Sequence, residues 1–341
     1  MRRKNSNLID IVAIGKIRAE KALERFREIA VIGVSDPDLL LILNEVLKYW
    51  KDSSRPAIAA YCCEAVGGKA EVADNAGGIF ILAAVATSIH DDIIDKSLKN
   101  HFRWTVLGKH GVEKALLVGD LFLVKAWSTV QELLRNHNKP IRVAEIVEGY
   151  GLISVQICEA EFLEMSCRKR LDTDLSVREK ILWNLNADFE ACAKTGAILG
   201  DGSSEEVLAL SGVGRRLGFL LGLKDEVADC LNIQGNLPHR LLFESVPLPV
   251  VYAAKSSEDI QTKLQSIIQK RSIVSSDIAT VVECCLDTGA FSYVNKLAKR
   301  SKNEALKMLK SIPYNTATTN LELIVENSSR IMDNLCSGNL D

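Results

Sequence analysis

Apolar residues recur along almost the whole chain at i, i+3, i+4 and i+7, the spacing of one face of a helix. "DPDLLLILNEVLKYW" opens on Asp36, a natural N-cap, with Pro37 at the first helical position, and "KDSSRP" ends it after Trp50. "PAIAAYCCEAVGG" predicts a short helix closed by Gly67 and Gly68. "EVADNAGGIFILAAVATSIHDDIID" is apolar nearly all round, as suits a helix at the centre of a bundle. After a polar loop come "GVEKALLVGDLFLVKAWSTVQELLRN" and "KPIRVAEIVEGYGLISVQICEAEFLEMSCRKR", both helical in period. "SVREKILWNLNADFEACAKTGAILGDGSS" and "SEEVLALSGVGRRLGFLLGLKDEVADCLN" predict two more helices. The Gly/Pro-rich "IQGNLPHRLLFESVPLPVVYAA" interrupts the pattern, which then resumes toward the C-terminus. No useful period-2 run occurs, so no sheet is predicted. Nor does a low-complexity linker or an internal repeat divide the chain. The expectation is one large all-α helical bundle over residues 1–341, with 1–34 as an N-terminal helical arm.

Composition narrows this little further. The 341 residues carry 42 basic and 44 acidic side chains, a balance that argues against nucleic acid as a partner. Hydrophobic residues make up 47%, enough for a sizeable core, and the 6% aromatics and 7 prolines favour helices over a β-sandwich. The 9 cysteines are odd in number and form no CxxC, so they read as buried thiols in a reducing compartment. The N-terminus lacks the apolar core of a secretion signal. The longest uncharged apolar run, Ala76 to His90, falls short of the roughly 20 residues that span a bilayer. A cytoplasmic protein without a transmembrane segment is expected.

Candidate chemistry sits where two apolar runs end. "SIHDDIID" places Asp91, Asp92 and Asp95 at i, i+1 and i+4, and "KDEVADC" repeats the spacing with Asp225, Glu226 and Asp229. Like charges so placed on a helix repel by a few tenths of a kcal/mol per pair, so a cation is called for. Two such faces meeting across a bundle would make an oxygen-rich mouth over an apolar interior. Mg²⁺ suits it, taking one or two protein carboxylates, keeping water, and completing its shell with phosphate oxygens. Ionisation of an allylic diphosphate needs that neutralisation of the leaving group, and a dry apolar cavity for the carbocation.

From roughly residue 35 onward the chain resembles the trans-isoprenyl diphosphate synthases, the polyprenyl synthetase family of the class I all-α isoprenoid fold. "SIHDDIID" and "LGLKDEVAD" stand at the two aspartate-rich motifs. "LLVGDLFLVKA", "AKTGAIL" and "SVPLPVVYAA" match three further segments in the same order. The resemblance implies that Asp91, Asp92, Asp95, Asp225, Glu226 and Asp229 bind Mg²⁺, with Glu226 in place of an aspartate. It implies that Lys194 and Thr195 act on the allylic diphosphate and the developing cation, and that Arg55 grips the homoallylic diphosphate. A snorkelling Lys194 on a buried helix is the bland alternative.

Several positions depart from the family. Where Gly-Gly-Lys should precede Arg55 the chain has "WKDSSRP", leaving Lys51 one position out of register. Ala84 replaces a histidine, Asn100 and His101 align with an arginine pair, and Leu221-Gly222 replaces Phe-Gln. His101, Arg103, His239 and Arg240 are the candidate replacement cations. The resemblance implies a Mg²⁺-dependent prenyltransferase that condenses isopentenyl diphosphate with allylic diphosphates. Two alternatives remain open here: a class I terpene synthase or a prenyltransferase with another acceptor, and a weakly active or non-catalytic subunit of a heteromeric synthase. The family habit implies a homodimer, with a heteromer as the alternative. Product length is expected to follow from the positions below Asp91, namely Thr87, Ala86, Ala83 and Phe80. Phe80 is the first large ring, roughly 16 Å down the axis, which implies a product of about C20 or longer.

Overall fold

The computed structural model describes residues 6–100, 103–136 and 140–336. Helices α1 (Ser6–Val31), α2 (Pro37–Tyr49), α3 (Ser54–Ala65) and α4 (Ala70–Ile94) lead into a minimal hairpin, β1 (Lys99–Asn100) and β2 (Arg103–Trp104). Then come α5 (Val106–His110), α6 (Val112–Asn136), α7 (Pro140–Ser166), α8 (Leu175–Leu185), α9 (Asp188–Leu199) and α10 (Ser204–Cys230). The chain closes with α11 (Leu237–Phe243), α12 (Leu248–Ala254), α13 (Glu258–Ile268), α14 (Ser275–Asp287), α15 (Ala290–Leu309) and α16 (Thr316–Cys336). The all-α expectation is borne out.

Local signals account for most boundaries. The Asp36 side chain accepts from the Leu39 amide at 2.8 Å and Pro37 opens α2, satisfying one of the amides that a helix start leaves unpaired. Gly67 follows α3 with φ +90, where a side chain would be strained. The stretch 176–204, read as one helix, is instead broken into α8 and α9. Asn186 bonds back to the Leu182 carbonyl at 3.0 Å, and the Asp188 carboxylate accepts from the Phe189 amide. The Gly/Pro-rich connector holds two short helices, α11 and α12, each with proline in its first turn. The loop after α4 contains the two-residue strands β1 and β2, with Lys99 over the Trp104 ring at 4.3 Å.

The residues fall into two compact units. The first comprises Met1–Gly151, Asp188–Gly214 and Lys307–Ile324. Its core is built from Phe26, Leu43, Ile81, Leu82, Val85, Val118 and Phe122, and the rings of Phe26 and Phe122 stack at 6.2 Å. Phe26 belongs to α1, so the N-terminal arm is part of that core. α4 meets the length and hydropathy of a membrane span, yet 76% of its most apolar window is buried inside the protein, as a central core helix would be. α3 and α9 touch backbone to backbone, because a Cβ at Gly196 would overlap the Ala59 carbonyl.

The second unit comprises Leu152–Ala187, Arg215–Leu306 and Val325–Asp341. Trp183 and Phe219 meet edge to face at 5.3 Å, and Leu217, Leu220, Val250, Val251, Leu264 and Val281 are fully buried or nearly so. Arg178 is the largest fully buried side chain, and charges are seldom buried unless paired. All nine cysteines are free thiols.

Candidate active site

Asp91, Asp92 and Asp95 occupy the last turn and C-cap of α4, and that turn contains no basic residue. A helix C-terminus already carries partial negative charge, so acids there are disfavoured by the dipole as well as by each other. Asp92 shows the consequence. Burial pushes its carboxyl up to about 7, Arg103 pulling down and Asp95 pushing further up. Arg103 itself lies over the Tyr49 ring at 4.8 Å. It lines a cavity of about 660 Å³ with Glu45, Tyr49, Trp104, Lys109 and His110. There Glu45 is held below its ordinary value by Lys109 and by His110, the latter at 3.0 Å. His90, beside Asp91, approaches Asp120 of α6 to 3.2 Å at ion-pair distance but outside hydrogen-bond geometry. Gly119 leaves the room for that imidazole, since a Cβ there would collide with it.

Lys194 and Thr195 lie on α9 in the same unit. Thr195 is buried. The Lys194 ammonium lies over Gly149 of α7, 3.2 Å from where a Cβ would stand. Lys51 is exposed. Arg55, expected to grip a diphosphate, is already held by two carboxylates. Its Nη1 donates to Asp52 at 2.6 Å, its Nε donates to Asp188, and its guanidinium stacks 4.8 Å from the Phe189 ring centre. The i, i+3 spacing of Asp52 to Arg55 was visible in the sequence; Asp188, 133 residues away, was not. His101 lies outside the described residues.

In the second unit the three carboxylates of α10 part company. Asp225 is exposed and pairs with Lys224 at 3.2 Å. Glu226, expected as a metal ligand, is instead 2% exposed and enclosed by cations. Arg240 donates to it at 2.6 Å, Arg178 at 3.4 Å, and the Leu248 amide also donates to it. Burial alone would raise its carboxyl, but Arg240, Arg178 and that amide outweigh burial and hold it below the ordinary glutamate value. Asp229 accepts from Arg240 at 2.7 Å and from Asn236 at 3.3 Å. Arg240, expected as a substrate cation, is likewise engaged within the protein. Its three nitrogens serve Glu226, Asp229 and Glu244, and also the Ser245 carbonyl. His239 lies 3.6 Å from Glu244.

Of the positions below Asp91, Thr87 is exposed and bonds back to the Ala83 and Ala84 carbonyls at 3.2 and 3.1 Å. Ala83 is partly buried, Phe80 is 5% exposed, and Ala86 is fully enclosed in the core cluster of the first unit.

Among the described residues no three His, Cys, Asp or Glu side chains converge into a ready-made metal cage. Of the two carboxylate clusters, the first offers oxygens of the kind a hard cation takes alongside water and phosphate. In the second, Glu226 fits poorly, its oxygens being engaged by arginines.

A family model for polyprenyl synthetases matches residues 42–285. The chain is similar to the short chain isoprenyl diphosphate synthase of Methanothermobacter thermautotrophicus, 27% identical over 94% of this chain and 98% of that one. It is 29% identical to the geranylgeranyl diphosphate synthase of Methanosarcina mazei over 77% and 81% of the two chains. In fold it is similar to the crystal structure of geranylgeranyl pyrophosphate synthetase from Pyrococcus horikoshii, with a TM-score of 0.83 at 24% identity, covering 94% and 98%.

Proposed function

The chain belongs to the polyprenyl synthetase family and is a prenyltransferase, and we propose that it condenses isopentenyl diphosphate with an allylic diphosphate, in the presence of Mg²⁺, to a polyprenyl diphosphate of about C20 or longer. The observation that carries the reading is the set of Asp91, Asp92 and Asp95 in the last turn and cap of a buried apolar helix, a turn without a basic residue. These three are the oxygens that would hold the metal in the first unit, and Asp225 and Asp229 are the candidates in the second. Mg²⁺ supplies charge neutralisation on the departing diphosphate. Lys194 is the cation assigned here to the allylic diphosphate, and Thr195 lies beside it on α9. The apolar wall of α4, through Phe80 and Ala83, keeps water from a carbocation. A homodimer is part of the proposal, supported by the exposed apolar stripe Leu152, Val155 and Phe162 on α7, where Phe162 is 73% exposed.

The test is turnover. Purified protein with Mg²⁺, isopentenyl diphosphate and allylic diphosphates of several lengths should yield elongated products, reversibly abolished by EDTA. Asp91→Ala and Asp225→Ala should each lose at least about 100-fold in kcat, the scale of a lost electrostatic contact to the leaving group. Turnover that survives chelation rules the reading out.

A further inference from the structure

Arg55 is the residue this reading asks to bind the acceptor's diphosphate, and its surroundings make that difficult. Two carboxylates, Asp52 and Asp188, already bracket one guanidinium, so the local charge is net negative before any substrate arrives. An incoming diphosphate is then repelled at the very group meant to attract it. Burial would raise the Asp52 carboxyl, but Arg55 and the Ser54 hydroxyl and amide outweigh it, so Asp52 stays ionised at neutral pH. The cluster is nonetheless within reach of solvent. The side chains of Arg55, Asp52 and Asp188 keep 24%, 29% and 25% of their exposure, and among the described residues Nη2 of Arg55 has no partner.

The two acids have different attachments. Asp188 opens α9 and bonds the Phe189 amide with its other oxygen. Asp52 lies on the segment before α3, where its Oδ1 accepts from the Ser54 amide at 2.9 Å and the Ser54 hydroxyl at 2.6 Å, while its Oδ2 faces Arg55. One oxygen of Asp52 therefore secures the turn, and the other occupies the position a phosphate oxygen would take on the guanidinium. We propose that Asp52 sets acceptor affinity in this enzyme: it holds Arg55 as a built-in counter-anion that isopentenyl diphosphate must displace. Asp52 touches no substrate; it acts through Arg55.

The inference rests on the proposed prenyltransferase reading, and two measurements separate them. Asp52→Asn keeps an oxygen for the Ser54 amide and removes the competing charge; Asp52→Ser offers a second route to the same end. Calorimetric titration with isopentenyl diphosphate and Mg²⁺, without allylic substrate, should show binding about tenfold tighter in the variants, the scale of one charge-assisted hydrogen bond. In steady state, KM for isopentenyl diphosphate should fall by a similar factor relative to KM for the allylic partner. Variants that keep the wild-type melting temperature yet bind isopentenyl diphosphate no more tightly overturn the proposal. So do variants that merely lose stability, since Asp52 would then only secure the turn. A wild-type protein that elongates while Asp52→Asn binds no better sinks this inference alone. A wild-type protein that never elongates, with an Asp52→Asn variant that binds isopentenyl diphosphate more tightly, sinks the condensation reading and leaves Asp52 only as the counter-anion of a diphosphate-binding Arg55.

Discussion

Glu226 offers the sharpest test of which carboxylates serve a metal and which serve the fold. Glu226→Ala would leave Arg178, fully buried, and Arg240, 12% exposed, without their shared counter-charge, and would strip the Leu248 amide of its acceptor. Removing one partner of a buried ion pair costs about 3–5 kcal/mol, and an unsatisfied buried amide adds about 1–3 kcal/mol. Arg178 retains Glu164 at 3.3 Å and Arg240 retains Asp229 and Glu244, so the loss should lie near the lower end, about 4 kcal/mol. At about 2.1 cal/mol/K per residue, 341 residues give about 0.7 kcal/mol per degree, so melting should fall by roughly 6 °C.

The assay is thermal unfolding in EDTA, where no metal can contribute, followed by Mg²⁺ titration of turnover in whatever fraction remains folded. A structural Glu226 predicts a large melting shift and a Mg²⁺ requirement close to wild type. A metal-ligating Glu226 predicts the reverse. Melting within about 2 °C of wild type, together with a tenfold higher Mg²⁺ requirement, would refute the assignment. The double variant with Arg240→Met should recover part of the loss, because an ion pair removed whole costs far less than one removed by half.

Acid should weaken the protein through the same group: Glu226 is held below its unfolded value, so its contribution is complete above about pH 4.3 and is lost as pH falls through the folded value. The pH dependence of stability in Glu226→Gln should therefore be shallower on the acid side than in wild type, and identical acid limbs would contradict the assignment. For product length, Ala86→Phe should shorten the product to about C15 and Phe80→Ala should lengthen it, read by chromatography of the dephosphorylated alcohols. Ala86 is fully buried, so the larger ring also overpacks the core by about 1–3 kcal/mol, and the assay belongs well below the variant's melting temperature. Two variants with wild-type product distributions would remove this face of α4 from the tunnel.

The helices were legible because their signals are local. Asp36 and Pro37 announce α2, Gly67 closes α3, and the charge-free run of α4 declares a central helix. The break between α8 and α9 was missed because Asn186 and Asp188 look like ordinary polar positions of one continuous amphipathic helix. Site chemistry was half legible for a related reason. Spacing shows that Asp225, Glu226 and Asp229 crowd one another, but their relief comes from Arg178 and Arg240, 48 and 14 residues away from Glu226, which no periodicity reveals. Arg55 repeats the lesson with Asp188.

The middle carboxylates of two motifs of identical spacing thus end in opposite electrostatic states, and the reason is what packs around them. Burial pushes the carboxyls of both Asp92 and Glu226 upward. For Glu226 two arginines within 3.4 Å reverse the sign; for Asp92 the opposing cation is Arg103, an exposed side chain that stacks on Tyr49, and burial wins. A cation entering beside Asp92 would relieve an existing penalty, whereas one entering beside Glu226 would have to displace arginines from a nearly dry pocket. Taken each within its own unit, the α4 cluster is the more open to a cation, while on α10 the carboxylates left for one are the exposed Asp225 and, where Arg240 yields it, Asp229. Glu226 is then the cornerstone that fixes the end of α10 rather than a ligand, which is why a longer side chain than aspartate can stand there: it spans to Arg178, Arg240 and the Leu248 amide at once.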